Sequence, residues 1–227
     1  YNSVISTFSH QLTHNEKPNI DLDGNLKLIY VDELTKEIYR VILDAKGCPE
    51  LKLDYTSEIK VSELLEKLNS YKDQYLNSGA IPELNTTFEI NLFNTYRSYI
   101  DNKSFFPYSL KQHADDRGTF FEIIRSHSSG QVSSSTTKPG LTRGNHFHTR
   151  KIERFTIIKG EALICIRRIG TNNILEFKLD GEKPAFVDMP IWYTHNITNI
   201  GSVDLYIQFW TNEFYDSSKS DTYFEKV

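Results

Sequence analysis

Methionine is almost missing from this chain. Met189 is the single one in 227 residues, so position 1 is not a translational start and Tyr1 is read as the first residue of a fragment. Cysteine is scarce as well. Cys48 and Cys165 are far apart in sequence, which argues against a disulfide framework and makes a reducing compartment, the cytoplasm, the expectation. No apolar stretch approaches the ~20 residues that cross a bilayer, so no membrane span is expected. The nearest, ALICI at 162–166, is bounded by Arg167 and Arg168. Basic charge is not in excess either: a formal net charge of -4 gives no electrostatic footprint for nucleic acid. Aromatic residues are plentiful. The 13 Tyr and 14 Phe favour β-structure and pockets that stack planar or sugar ligands.

The apolar period changes part-way along the chain. Val4, Ile5, Phe8 and Leu12 recur with helical spacing up to Pro18, and KLIY at 27–30 is a short strand candidate. Three more helices are predicted, one through Leu34, Ile38, Val41 and Ile42, one through Val61, Leu64, Leu65, Leu68 and Tyr71, and one through Phe88, Ile90, Phe93 and Tyr96. Asn102, Lys103 and Pro107 mark a connection. Beyond it the period is two, predicting strands at 119–125, 131–137, 154–158, 162–166, 174–178 and 205–210 with glycine or asparagine near the turns. Many short strands with close turns suggest a jelly-roll barrel or sandwich.

Two of the 7 histidines, His146 and His148, stand one residue apart. On a strand both imidazoles point to the same side, as two ligands of one metal must. Glu153 follows after a turn, and a further ligand has to come from His10, His14, His113, His127 or His195. The spacing Gly140, His146, His148, Glu153, Gly160 resembles the first motif of the cupin superfamily, G-x5-H-x-H-x4-E-x6-G. Pro190, His195 and Asn199 resemble its second motif, with Trp192 in place of a glycine. The resemblance implies a metal held by His146, His148, Glu153 and His195, with Zn, Fe, Mn and Ni all suited to such a set. Buried histidines bonded to backbone in an inert barrel, and a Glu153 ion pair with Arg150 or Lys151, are the plain alternatives.

Upstream, DDRGTFFE at 115–122 and KPGLTRGNH at 138–146 resemble the deoxysugar 3,5-epimerases, which act on nucleotide-linked 4-keto sugars. That likeness implies that Arg117 and Glu122 contact the nucleotide diphosphate across a dimer interface and that Arg143 lies beside the sugar; a salt bridge within the barrel is the alternative for Arg117 and Glu122. In those epimerases the histidine at position 146 is the base, whereas the metal set makes it a ligand. With the set complete, the ligand role is preferred here, and His113, Tyr193 and Lys138 are the candidates for moving protons or neutralising an enolate.

The segments YNSVISTFSH at 1–10 and LIYVDE at 28–33 resemble the C-terminal, substrate-binding lobe of extended short-chain dehydrogenases acting on nucleotide sugars. No glycine-rich dinucleotide turn accompanies them, and the Tyr-x3-Lys pattern at 215–219 is a chance match. The expected fold is therefore α+β, with a helical C-terminal lobe of an extended short-chain dehydrogenase at 1–104 and an all-β cupin jelly-roll barrel at 105–227. Dehydrogenase–cupin enzymes of capsular polysaccharide assembly combine these parts. The resemblance implies C3 epimerisation of a UDP-linked 2-acetamido-2,6-dideoxy-4-hexulose in the cupin, zinc as its metal, a homodimer, and reduction of the 4-keto group by NADPH in the complete enzyme. An Fe-dependent cupin dioxygenase, recognised by oxygen consumption, and a sugar-binding module that exchanges no proton are the competing functions.

Overall fold

Where the apolar period is helical the chain builds a layer of short helices, and where it is two the chain builds two facing sheets. The computed structural model describes residues 3–44, 50, 52–116 and 118–227. Helix α1 (Val4–Thr13) is capped by Ser3, whose hydroxyl accepts from the Ser6 amide at 3.2 Å, and it buries Phe8 and Leu12. Strand β1 (Asn25–Leu28), helix α2 (Val31–Leu43) and strand β2 (Ser57–Lys60) follow, with β1 and β2 paired antiparallel. Helix α3 (Val61–Tyr71) runs into one π-helical turn at Lys72–Leu76, and then come α4 (Thr87–Arg97) and the single turn α5 (Asn102–Phe105). No described helix is long and apolar enough to cross a membrane.

Strand β3 (Tyr108–Ser109) opens the β-region, and β4 (Gln112–Asp115) and β5 (Gly118–Phe121) form a hairpin of their own. The remaining strands are β6 (Gln131–Thr137), β7 (Thr142–Phe147), β8 (Glu153–Lys159), β9 (Glu161–Arg168), β10 (Ile174–Asp180), β11 (Ala185–Met189), β12 (Tyr193–Asn199), β13 (Leu205–Thr211) and β14 (Tyr223–Phe224). They make two five-stranded sheets, ordered β10-β9-β12-β7-β14 and β3-β11-β8-β13-β6, with neighbouring strands antiparallel throughout. Between the sheets lies a core of Phe155, Ile157, Ile164, Ile166, Val187, Met189, Ile197 and Ile207.

A second core joins Phe8, Leu64, Leu68, Tyr75, Phe93 and Tyr96 to Ile152 and Trp210 from the barrel. The helices therefore cover the outer face of the β8–β13 sheet. Strand β8 serves both cores by alternation: Glu153, Phe155 and Ile157 face the barrel interior, and Arg154 faces the helices. Arg154 is 2% exposed, donates to both Asp188 oxygens at 2.7 and 2.9 Å and to the Gly79 carbonyl at 2.8 Å, and stacks on Phe186 at 3.4 Å. Tyr75 completes the cluster, donating to Asp188 Oδ2 at 2.8 Å.

The expected fold class is corrected here. The chain is mainly β, with strand residues outnumbering helical ones, and the helices at 1–104 do not make the C-terminal lobe of a short-chain dehydrogenase. They form a thin layer whose core borrows Ile152 and Trp210 from the barrel, and α2 buries none of its residues. An apolar period of 3.6 reports that a helix has a face to bury, not which fold it serves. Two short segments were too little to carry that assignment.

Candidate metal centre and the cavity around it

The histidine cluster is a product of strand pairing. His146 lies on β7 directly opposite His195 on β12, and His148 follows two residues on, so three imidazoles leave one sheet toward the interior. Close approach of the two strands needs a glycine at 144. A Cβ there would lie 2.7 Å from the His195 carbonyl oxygen, and the backbone at Gly144 has φ 102°. Glu153 reaches the same point from the first residue of β8, in the facing sheet. The potential ligand atoms of His146, His148, Glu153 and His195 all lie within 4.8 Å of one another.

These atoms are buried and under-satisfied. His195 is fully buried and His148 nearly so, and Glu153 Oε2 stands 2.9 Å from His148 Nε2 and 3.4 Å from His195 Nε2. None of the three atoms has a well-directed hydrogen bond. Buried polar atoms converging without partners are costly, and a divalent cation satisfies all of them at once. Three nitrogens and one carboxylate oxygen suit a borderline transition metal. The residues fit such an ion. Burial, with His195 and His148 adding to it, lowers His146 to about 4, so this ring is neutral near pH 7 and its lone pair is free to donate. Burial alone would raise Glu153, but the His148 and His195 rings prevail and hold the carboxyl well below its usual range.

Sequence reading passed over the residue that aims His148. His148 Nδ1 contacts the Asp221 backbone carbonyl, which makes Nδ1 the donor and turns the Nε2 lone pair to the cluster. The Asp221 side chain, 2% exposed, accepts from the amides of Thr149, Arg150 and Lys151 at 2.9–3.1 Å and from the Thr149 hydroxyl at 2.7 Å. Two residues on, β14 pairs with β7 at His146 and Phe147. Only the fold brings Asp221 to His148, 73 residues away, and no local spacing signals it.

A cavity of about 410 Å³ opens over the cluster. His146 and Glu153 border it, with Arg143, Lys151, Phe209 and Tyr215 around them. Arg143 is braced by the Thr137 hydroxyl at 2.9 Å and the Thr136 carbonyl at 3.0 Å. Lys151 is 8% exposed, and among the described residues its amine meets only Thr222 Oγ1, at 3.5 Å. Arg150, the other candidate partner for Glu153, instead meets Glu213 at 3.0 Å.

The remaining sequence candidates lie elsewhere. His113 and Glu122 border a different pocket beside the β4–β5 hairpin, where Glu122 binds Arg125 at 2.8 and 3.0 Å. Tyr193 borders a cleft between α4 and the barrel, and Lys138 is exposed in the turn after β6. None of these four borders the cavity over the histidines, and Arg117 lies outside the described residues.

Residues 113–223 match the family described as polysaccharide biosynthesis C-terminal domain. The whole chain is 36% identical to CapF in a crystal structure with the inhibitor 3-isopropenyl-tropolone, covering 67% of that chain with a TM-score of 0.49. The chain belongs to the CapF family. CapF of Staphylococcus aureus, described as a capsular polysaccharide assembling protein, is 36% identical in a second crystal structure, with 62% of that chain covered and a TM-score of 0.44. UDP-2-acetamido-2,6-beta-L-arabino-hexul-4-ose reductase of Pseudomonas aeruginosa is 34% identical over 226 residues, 98% of this chain. The chain spans 60% of that curated relative.

Proposed function

We propose that the barrel cavity epimerises C3 of a UDP-linked 2-acetamido-2,6-dideoxy-4-hexulose. The reading rests chiefly on the convergence of His146, His148, Glu153 and His195, within 4.8 Å, beside a cavity that also offers an arginine, a lysine and a tyrosine. The relative from Pseudomonas aeruginosa bears the name of a 4-keto sugar reductase, which fits a substrate whose ketone acidifies the neighbouring C–H.

His146, His148, Glu153 and His195 would hold a divalent cation, zinc in this reading, and such an ion supplies Lewis acidity toward an oxygen. The chain's own residues do the rest. Arg143, fixed by Thr137 and Thr136, presents its guanidinium to the sugar or its diphosphate. Inverting a carbon centre needs a proton removed on one face and returned on the other, so two carriers are required. Lys151, in the turn after β7, and Tyr215, beyond β13, border the cavity from different elements and take these roles in place of His113, Tyr193 and Lys138.

The unit that carries this chemistry is 105–227. Glu122 sits beside an exposed hairpin away from the cavity, so a nucleotide contact from it requires a second copy of the chain, and the protein is proposed to be a homodimer. Size-exclusion chromatography with light scattering tests this, and a strict monomer at micromolar concentration removes it. In the longer members of the family the epimerised ketone would then be reduced with NADPH.

The deciding experiment supplies the UDP-linked 4-keto sugar in deuterated buffer without NADPH and follows C3–H by NMR. Exchange is expected, falling at least about tenfold in Lys151→Met and disappearing in His195→Ala. A folded, metal-loaded chain that exchanges nothing overturns the reading.

A further inference from the structure

Arg97, the last residue of α4, is 4% exposed and has no carboxylate partner among the described residues. Its hydrogen bonds are long, 3.3 Å to the Met189 carbonyl and 3.5 Å to Asn94 Oδ1, and its Nε has no partner among the described residues. The carboxylate of the neighbouring residue Asp188 is already committed to Arg154 and Tyr75. Two buried guanidinium groups therefore flank Tyr75 with a single carboxylate between them. Ring contacts with Tyr75 and Phe93, at 5.5 and 5.7 Å, offset only part of the cost of a buried unpaired charge.

This charge borders a cavity of about 500 Å³ between α4 and the barrel, and the cavity shares no lining residue with the one over the histidines. The barrel side brings a second cation, Arg168, which is exposed and whose side chain makes no hydrogen bond or ion pair among the described residues. It also brings Trp192, 42% exposed, at φ 62°. Left-handed backbone is unfavourable for so bulky a residue, and such positions gather where a side chain is needed in one place. The indole is steadied from behind by Phe147, stacked at 5.6 Å. Two cations without counter-ions among the described residues and one flat ring border a cavity of small-molecule size.

We propose that the cleft between α4 and the barrel binds an organic phosphate, with its phosphate against Arg97 and Arg168 and a planar ring on Trp192. Guanidinium groups match phosphate oxygens in geometry as well as charge, and a bound phosphate supplies the negative charge that Arg97 lacks.

The test is isothermal titration of the full chain with UMP, and with uridine and ribose 5-phosphate as its two halves. UMP is expected to bind at least about tenfold tighter than either half. Arg168→Gln, at an exposed site, should weaken UMP about tenfold, and Arg143→Gln, in the other cavity, should leave it unchanged. Trp192→Gly relieves the backbone, so UMP should bind no better than ribose 5-phosphate while the Tm does not fall. Arg97→Met should abolish binding without lowering the Tm, because it removes a buried charge that no carboxylate among the described residues pairs. The proposal is overturned if UMP does not bind, if Arg168→Gln and Trp192→Gly bind it as the unaltered chain does, if Arg143→Gln alone abolishes binding, or if Arg97→Met sharply lowers the Tm.

Discussion

Asp221 shows how much one side chain away from the cavity can decide. Its carboxylate gathers three successive amides, and its carbonyl sets the tautomer of His148. Asp221→Ala strands those amides in a buried turn, at roughly 1–3 kcal/mol, and loosens the segment whose backbone carbonyl holds the His148 ring. Metal affinity should drop by up to about 10–100-fold as that carbonyl loses its fixed position, measured by competition with a chelator dye. Asp221→Asn keeps a carbonyl oxygen and should recover part of both. Burial pushes the Asp221 carboxyl up, but the Lys151 amide and the Thr149 hydroxyl and amide outweigh it and hold the group below its ordinary 3.8. A folded pKa below the unfolded one stabilises the protein above that ordinary value, and the contribution is lost as pH falls through the folded pKa. The Tm of the unaltered chain should therefore fall more steeply below pH 3.8 than that of Asp221→Asn. His195→Ala removes the ligand that β12 contributes, and elemental analysis should find well under one metal per chain. Stoichiometric metal in that variant would contradict the ligand set. Adding a chelator to the unaltered protein should lower its Tm, since an ion bound only by the native state stabilises it.

At the scale of elements, α4 offers a clean test of local coding. Thr86 Oγ1 accepts from the Glu89 amide at 3.2 Å, Glu89 returns a bond to the Thr86 amide at 3.1 Å, and Lys67 of α3 meets Glu89 at 2.8 Å. Thr86→Ala should cost about 1 kcal/mol in urea denaturation with an unchanged m-value. Helices and alternating strands of this kind were legible in the amino-acid sequence, because their signals are local: β6, β8, β9, β10 and β13 all overlap the segments of period two. Others were not. All five residues of β11 are buried, so no alternation marks it, and the run expected at 119–125 stops at Phe121. His146, His148 and Glu153 were readable from spacing because they fall within eight positions, whereas His195 was singled out by the motif resemblance at 190–199. Lys151 and Tyr215 carry no such spacing, and their place at the cavity comes from turns that only the folded chain defines.

Across the whole molecule, the helical layer and the barrel are tied by charge as well as by apolar contact. Arg154 and Asp188 are 34 residues apart, and Tyr75 is 113 residues from Asp188, so the cluster was invisible to any local reading. Asp188→Ala leaves Arg154 buried and unpaired, an error of about 3–5 kcal/mol. Helical circular dichroism and the fluorescence of Trp210, which sits in the shared core, should lose their midpoints together. Two separate transitions would show that the layers fold independently.

Strand β8 sends Glu153 and Arg154 to opposite faces, and this gives the chain a built-in intolerance of length change at one place. A single residue inserted between Ile152 and Glu153 would present the arginine to the histidines and the carboxylate to the helices. No compensating point mutation repairs that, because every later side chain of the strand is inverted as well. Insertion scanning should find the segment 149–153 closed to added residues, while the exposed turn at 170–173, between β9 and β10, accepts them freely.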